Sequence, residues 1–192
     1  IGGLFTFMYE EYTVCSLCDF KSRRSKEEEM ILLSVDCPEE QASLEQVIDN
    51  SLRPSICEGW KDEGGCQNIT IGRHHRNIVD VKNIKFITIV IERFRKQYNE
   101  TNSERILKTQ VSVGDVKILD TSENEYFNFT PISVIHHTGN VTRGGETHGH
   151  YRADILSSNG QWIRTSDDAA PYYVREPSQS CYIVLLKNTF KR

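Results

Sequence analysis

Ile84-Lys-Phe-Ile-Thr-Ile-Val-Ile91 is a nearly continuous β-branched and apolar run with charged residues beyond both ends. A strand buried on both faces fits this pattern, and such a strand belongs at the centre of a sheet. Tyr126 to Ile135 and Cys181-Tyr-Ile-Val-Leu-Leu186 are further strand signals, and Val111, Val113, Val116, Ile118 and Leu119 suggest short strands between them. One helix is signalled as clearly. Ser43-Leu-Glu-Gln46 is a capping box, Leu44, Val47, Ile48 and Leu52 form an apolar stripe, and Pro54 stops the run. The spacing predicts a helix over Leu44 to Leu52. The expected architecture is α+β: a mostly antiparallel sheet from about Val81 onward, with a β-rich extension before it.

The extension opens on Ile1 to Tyr12, apolar and aromatic, which reads as an extended segment packing on a neighbouring lobe. Glu11 to Cys18 then reads as a strand running into a metal knuckle, because two thiolates two residues apart can grip one ion from a tight turn. Met30 to Val35 reads as the returning strand. Cys57 and Cys66 follow, separated by a Gly-rich stretch. Two readings stand side by side: a tetrahedral Cys15, Cys18, Cys57, Cys66 site, or a decayed site whose cysteines remain as small thiols. His74 and His75 are substitute ligands on the first reading and surface histidines on the second.

At 192 residues the chain suffices for one domain, or for a lobe plus an extension. A formal net charge of −4 and a pI near 5.9 argue against nucleic acid as a partner. No apolar run approaches the roughly 20 residues that span a bilayer, so no membrane partner is expected. Four Asn-x-Thr triplets, at Asn68, Asn99, Asn128 and Asn140, read as chance matches in a chain rich in these residues. The sequence does not determine an oligomeric state.

Chemistry concentrates between Tyr126 and Asp168. Val134-Ile-His-His-Thr-Gly139 delivers a histidine-bearing loop, a second strand leaves from Gly149-His-Tyr151, and a turn at Asn159-Gly160 returns the chain to Trp162-Ile-Arg-Thr-Ser-Asp-Asp168. A general base must be held in one orientation by a polar partner, and adjacent antiparallel strands present such partners side by side. His150 and the Ser166-Asp167-Asp168 cluster are the candidates. A metal cluster of His136, His148 and His150 is the alternative. Asn140 to Thr147 reads as a loop beside the cleft, hinged at Gly144-Gly145.

These residues resemble the ubiquitin-specific proteases, papain-like cysteine proteases that remove ubiquitin. The family's histidine box, an apolar strand with His-x-Gly, a loop and Gly-His-Tyr, is similar to Val134 to Tyr151 here. Asn83 to Phe94 resembles its strand ending in Arg-Phe, Lys108 with Val111 and Val113 fits the following segment, and Ser180 to Leu186 resembles its closing strand. The resemblance implies a papain-like palm over about residues 81–192 and a fingers extension over about residues 10–80. It implies a deubiquitinating cysteine peptidase that cleaves at the C-terminal glycine of ubiquitin, in the cytoplasm or nucleus. His150 would be the base, Ser166 would stand where the family places Asp or Asn, and Asp167 would supply the missing charge. A structural zinc would sit on the four cysteines named above, although the second pair is wider than the family's two CxxC pairs.

One family element is missing. The nucleophilic cysteine lies in an Asn-x-Cys context near the start of the family's catalytic domain, and none of the six cysteines has that context. The chain, which begins with Ile1, is therefore read as the later part of a catalytic domain, inactive by itself. The alternative is a non-catalytic ubiquitin-binding protein that keeps the fold.

Overall fold

The computed structural model describes residues 2–18, 20–22, 26–60, 70–96, 104–141, 147–166 and 169–189. The strands before the helix are β1 (Phe7–Cys15), β2 (Lys26–Met30), β3 (Leu33–Asp36) and β4 (Ala42–Ser43), followed by α1 (Leu44–Leu52). Next come β5 (Ser55–Trp60), β6 (Thr70–Val79), β7 (Phe86–Glu92), β8 (Phe94–Lys96), β9 (Glu104–Ile106), β10 (Val111–Ser112) and β11 (Val116–Asp120). The last five are β12 (Glu125–Val141), β13 (Thr147–Leu156), β14 (Trp162–Ser166), β15 (Ala169–Val174) and β16 (Cys181–Asn188). Among the described residues the chain is thus mostly β-sheet with one α-helix.

Two sheets carry the architecture. A four-stranded antiparallel sheet has the order β2-β1-β6-β5, and an eight-stranded sheet runs β15-β14-β13-β12-β16-β7-β3, with β11 also paired to β12. Every pairing in the large sheet is antiparallel except β3 with β7. The helix has the bounds read from the sequence. Ser43 Oγ accepts the Gln46 N–H at 3.1 Å, and the Gln46 side chain accepts the Ser43 N–H at 2.8 Å. Its stripe places Leu44, Val47 and Ile48 in the core with Ile87, Ile89 and Ile91 of β7, Phe127 and Phe129 of β12, and Val184 and Leu186 of β16. Each such side chain contributes about 1.5–3 kcal/mol by leaving water.

Four sequence expectations change. β7 is not equally buried on its two faces: Ile87, Ile89 and Ile91 are wholly buried, whereas Phe86, Thr88 and Val90 are half-buried, because the helix and the main core lie against one face only. Met30 to Val35 is not one strand. The chain leaves the small sheet after Met30, exposes Ile31, and enters the large sheet at Leu33, so β3 and α1 pack with elements that come after residue 80. The opening segment packs on this chain's own lobe: Phe7 is in the core and Phe5 stacks on Phe86 at 5.2 Å. Finally, His136 to Gly139 is strand and not loop, since β12 continues to Val141 and stays paired with β13 throughout. The Gly144-Gly145 hinge lies outside the described residues.

Candidate functional site

The site is built by register. The turn between β13 and β14 is closed by the Ser157 N–H to Gln161 carbonyl bond at 2.9 Å and the Gly160 N–H to Ser157 carbonyl bond at 3.0 Å. Gly160 adopts φ +82°, a conformation that side-chain-bearing residues rarely take, which explains the glycine. This turn sets Leu156 opposite Trp162 and Ala153 opposite Thr165. Side chains alternate between faces, so His150, Arg152 and Asp154 share one face with Arg164 and Ser166. His150 Nε2 and Ser166 Oγ come within 2.7 Å of one another. The sequence singled out both residues, and the fold brings them into hydrogen-bond contact from positions sixteen residues apart.

Beneath this pair the same face is polar and deeply buried. Asp154 is inaccessible to solvent; its two oxygens accept Arg164 Nε at 2.7 Å and Nη2 at 2.9 Å, and the Ser178 N–H adds a third bond at 2.7 Å. His136 is also buried, with Nε2 at 3.7 Å from Asp154 Oδ1. Burial alone would raise the Asp154 pKa, but Arg164, the neighbouring His136 and the Ser178 N–H outweigh it and hold the carboxyl well below the usual carboxylate range. The Asp154–Arg164 pair therefore pins β14 to β13 just before Ser166, the point at which the β14–β15 register shifts.

His137 belongs to the opposite face, where its ring packs on Tyr151 at 4.8 Å and Tyr151 lies 6.3 Å from Tyr182. Trp162 packs against the core. His148 pairs with Asn140 in the ladder, and among the described residues no three His, Cys, Asp or Glu side chains gather as a metal site. Asp167 and Asp168 lie outside the described residues. Arg93 was read in the sequence only as part of a strand end. It is buried and donates to the carbonyls of Cys181 at 2.6 Å, Thr109 at 2.7 Å and Leu107 at 3.0 Å, so one guanidinium anchors the start of β16 to the segment before β10. A charged residue ending an apolar strand was the available signal; its partners were not.

The cysteine candidates sit at one end of the small sheet. Cys15 and Cys57 are both opposite Gly72, on the two strands that flank β6, and therefore face the same side with no side chain between them. Cys18 follows the β1 turn, in which the Leu17 N–H donates to Cys15 Sγ at 3.4 Å. Cys66 lies outside the described residues. His74 shares the face of Cys15 and Cys57, but its ring nitrogens contact Thr13 Oγ1 at 3.1 Å and Glu11 Oε1 at 2.8 Å. Cys181 is no candidate nucleophile: burial pushes its thiol up to about 11, so hardly any thiolate exists at neutral pH.

This two-sheet arrangement is a fold found in chains of the SAGA DUB module. The chain is similar to a chain of the yeast SAGA DUB module containing an Sgf73 mutant, with a TM-score of 0.81 and 16% identity over 99% of this chain and 42% of that one. It is similar to the same extent, with a TM-score of 0.81 and 17% identity, to a chain of the SAGA DUB module of Ubp8, Sgf11, Sus1 and Sgf73 bound to monoubiquitin, again over 99% and 42%. A chain of that module bound to ubiquitin aldehyde gives a TM-score of 0.79 and 16% identity over 99% and 42%. The present chain thus spans about two fifths of the length of these chains. No protein-family model and no curated protein matches the sequence.

Proposed function

We propose that this chain is the histidine-bearing part of a deubiquitinating cysteine peptidase, and that the nucleophilic cysteine is supplied by a segment outside these 192 residues. The observation that carries the reading is the 2.7 Å contact between His150 Nε2 and Ser166 Oγ, on a fold shared with chains of ubiquitin-bound deubiquitinating modules. With Nε2 engaged by Ser166, the proton of an attacking thiol goes to Nδ1. The Nε2–H then donates to the hydroxyl and fixes the ring plane. The thiolate would attack the carbonyl of ubiquitin's terminal glycine, the imidazolium would protonate the leaving amine, and water activated by His150 would release the acyl group. Ser166 is neutral and stabilises imidazolium less than a carboxylate does, so the proposed role of Asp167 is to supply that charge.

The four thiols Cys15, Cys18, Cys57 and Cys66 form the proposed structural zinc site. The common side of Cys15 and Cys57 and the N–H bond to the Cys15 sulfur suit thiolate ligation. No step of the chemistry passes through the metal. Cytoplasm or nucleus is the proposed location; among the described residues no helix is long and apolar enough to cross a membrane.

The second reading, a ubiquitin-binding protein without catalysis, is favoured by the neutral Ser166 and by the absence of an Asn-x-Cys cysteine in this sequence. The parent transcript and one assay separate the two. The 192 residues alone should neither hydrolyse a fluorogenic ubiquitin C-terminal amide nor be labelled by a ubiquitin electrophile. In a parent protein carrying the nucleophile, His150→Ala should lower kcat by about 10³-fold, and Asp167→Ala should cost more than Ser166→Ala. A parent frame with no such cysteine, together with retained ubiquitin binding, would establish the second reading.

A further inference from the structure

Directly beneath His150 and Ser166 the sheet carries buried polar atoms that make no hydrogen bond among the described residues. Arg152 lies two residues beyond His150 on the same face of β13, about 7 Å along the strand. Its cross-strand partner on β12 is His136. Among the described residues, Arg152 Nε and both ring nitrogens of His136 are buried with no partner at hydrogen-bond distance, His136 Nε2 lying 3.7 Å from Asp154 Oδ1. The acceptors that flank Arg152 on its face are committed elsewhere. Ser166 Oγ is engaged with His150, and both oxygens of Asp154 are taken by Arg164 and the Ser178 N–H. Arg152 as a whole is half-buried.

A permanently charged group with a buried, unmatched N–H pays a standing desolvation cost, which an incoming anion removes through a charge-assisted bond. The reaction proposed above leaves such an anion at this place, because hydrolysis of the acyl group converts a neutral carbonyl into a C-terminal carboxylate beside His150. We propose that Arg152 is a carboxylate-binding residue that receives the newly formed C-terminal carboxylate of the released ubiquitin, with His136 as the floor of the subsite. The inference rests on the reading of the chain as part of a ubiquitin-directed hydrolase. The intact substrate presents no charge there, so the subsite favours product over substrate and makes the enzyme subject to inhibition by its own product.

The chain binds its product without needing a nucleophile, so the 192 residues are the right material for the test. Titration calorimetry at low ionic strength compares ubiquitin bearing its native C-terminal carboxylate with ubiquitin converted to the C-terminal primary amide. The acid is expected to bind about tenfold more tightly than the amide. Arg152→Gln should bring the acid to the level of the amide, and Arg152→Lys should restore part of the difference. Should either variant fold poorly, the comparison of acid and amide on the wild-type chain still decides. Equal affinities of the two forms would overturn the carboxylate subsite and leave ubiquitin recognition standing. Binding of neither form would overturn the subsite together with the reading on which it rests.

Discussion

The small sheet and the large sheet of this molecule are built from similar strands, yet they are held in different ways. β1 buries Phe7 and Cys15 at its two ends and leaves the seven residues between them exposed or half-buried. β7 buries three isoleucines completely within seven residues and is flanked by β16 and β3. On the large sheet, apolar packing fixes the strand order, and a buried carboxylate–guanidinium pair fixes the register at the site. Among the described residues, the far end of the small sheet, where Cys15, Cys18 and Cys57 are placed, leaves Leu17, Ile56 and Ile71 exposed. The candidate His150–Ser166 pair sits on the packed sheet, and the sheet with less described core carries the cysteines of the proposed metal site.

The strongest test of this contrast is metal removal. Four thiolates around one Zn²⁺ supply roughly 10 kcal/mol or more in small zinc domains. Protein purified without chelator is therefore expected to contain one zinc per chain. Chelation should abolish amide protection in β1, β2, β5 and β6 while protection in β12, β13 and β16 remains. Zinc content near zero, with Cys18 and Cys57 readily alkylated and β1 still protected, would show that packing alone holds the small sheet.

The next largest effect belongs to the large sheet. Asp154→Ala strands the Arg164 guanidinium and should cost about 3–5 kcal/mol in urea unfolding. It should also alter the acid limb. The folded Asp154 pKa lies below its unfolded value, so its stabilisation is complete above about pH 4, where the unfolded carboxyl is ionised, and is lost as pH falls toward the folded pKa. In Asp154→Ala that pH dependence should flatten, and chelation should have no influence on it. The same variant should disturb the His150–Ser166 contact, visible as changed His150 ring chemical shifts by NMR.

The smallest effect expected is from Ser43→Ala, which removes the helix cap and should lower stability by about 1 kcal/mol in the same urea experiment. Because α1 packs on the large sheet, this loss should appear equally with and without zinc. A loss seen only in the zinc-bound protein would mean that the two sheets unfold as one unit.

What could be read from the chain alone was what depends on near neighbours. The capping box links Ser43 to Gln46 three residues away, and the apolar stripe follows from helical spacing. The Asn159-Gly160 turn needs one residue with positive φ. The candidate pair was legible from residue types on two adjacent strands and from resemblance to a known motif, but nothing in the local sequence says that Ser166 will stand 2.7 Å from His150. The tertiary structure alone decided the rest. It placed β3 beside β7, extended β12 through His136 and Gly139, gave Arg93 its carbonyls up to 88 residues away, and gathered His136, Asp154 and Arg164 under the site. Buried charges are stabilised by whichever partners the packing brings within hydrogen-bond distance, and strand registry between distant segments selects those partners. Periodicity reports only which face of each strand is hidden; the pairing of those faces is what makes the site.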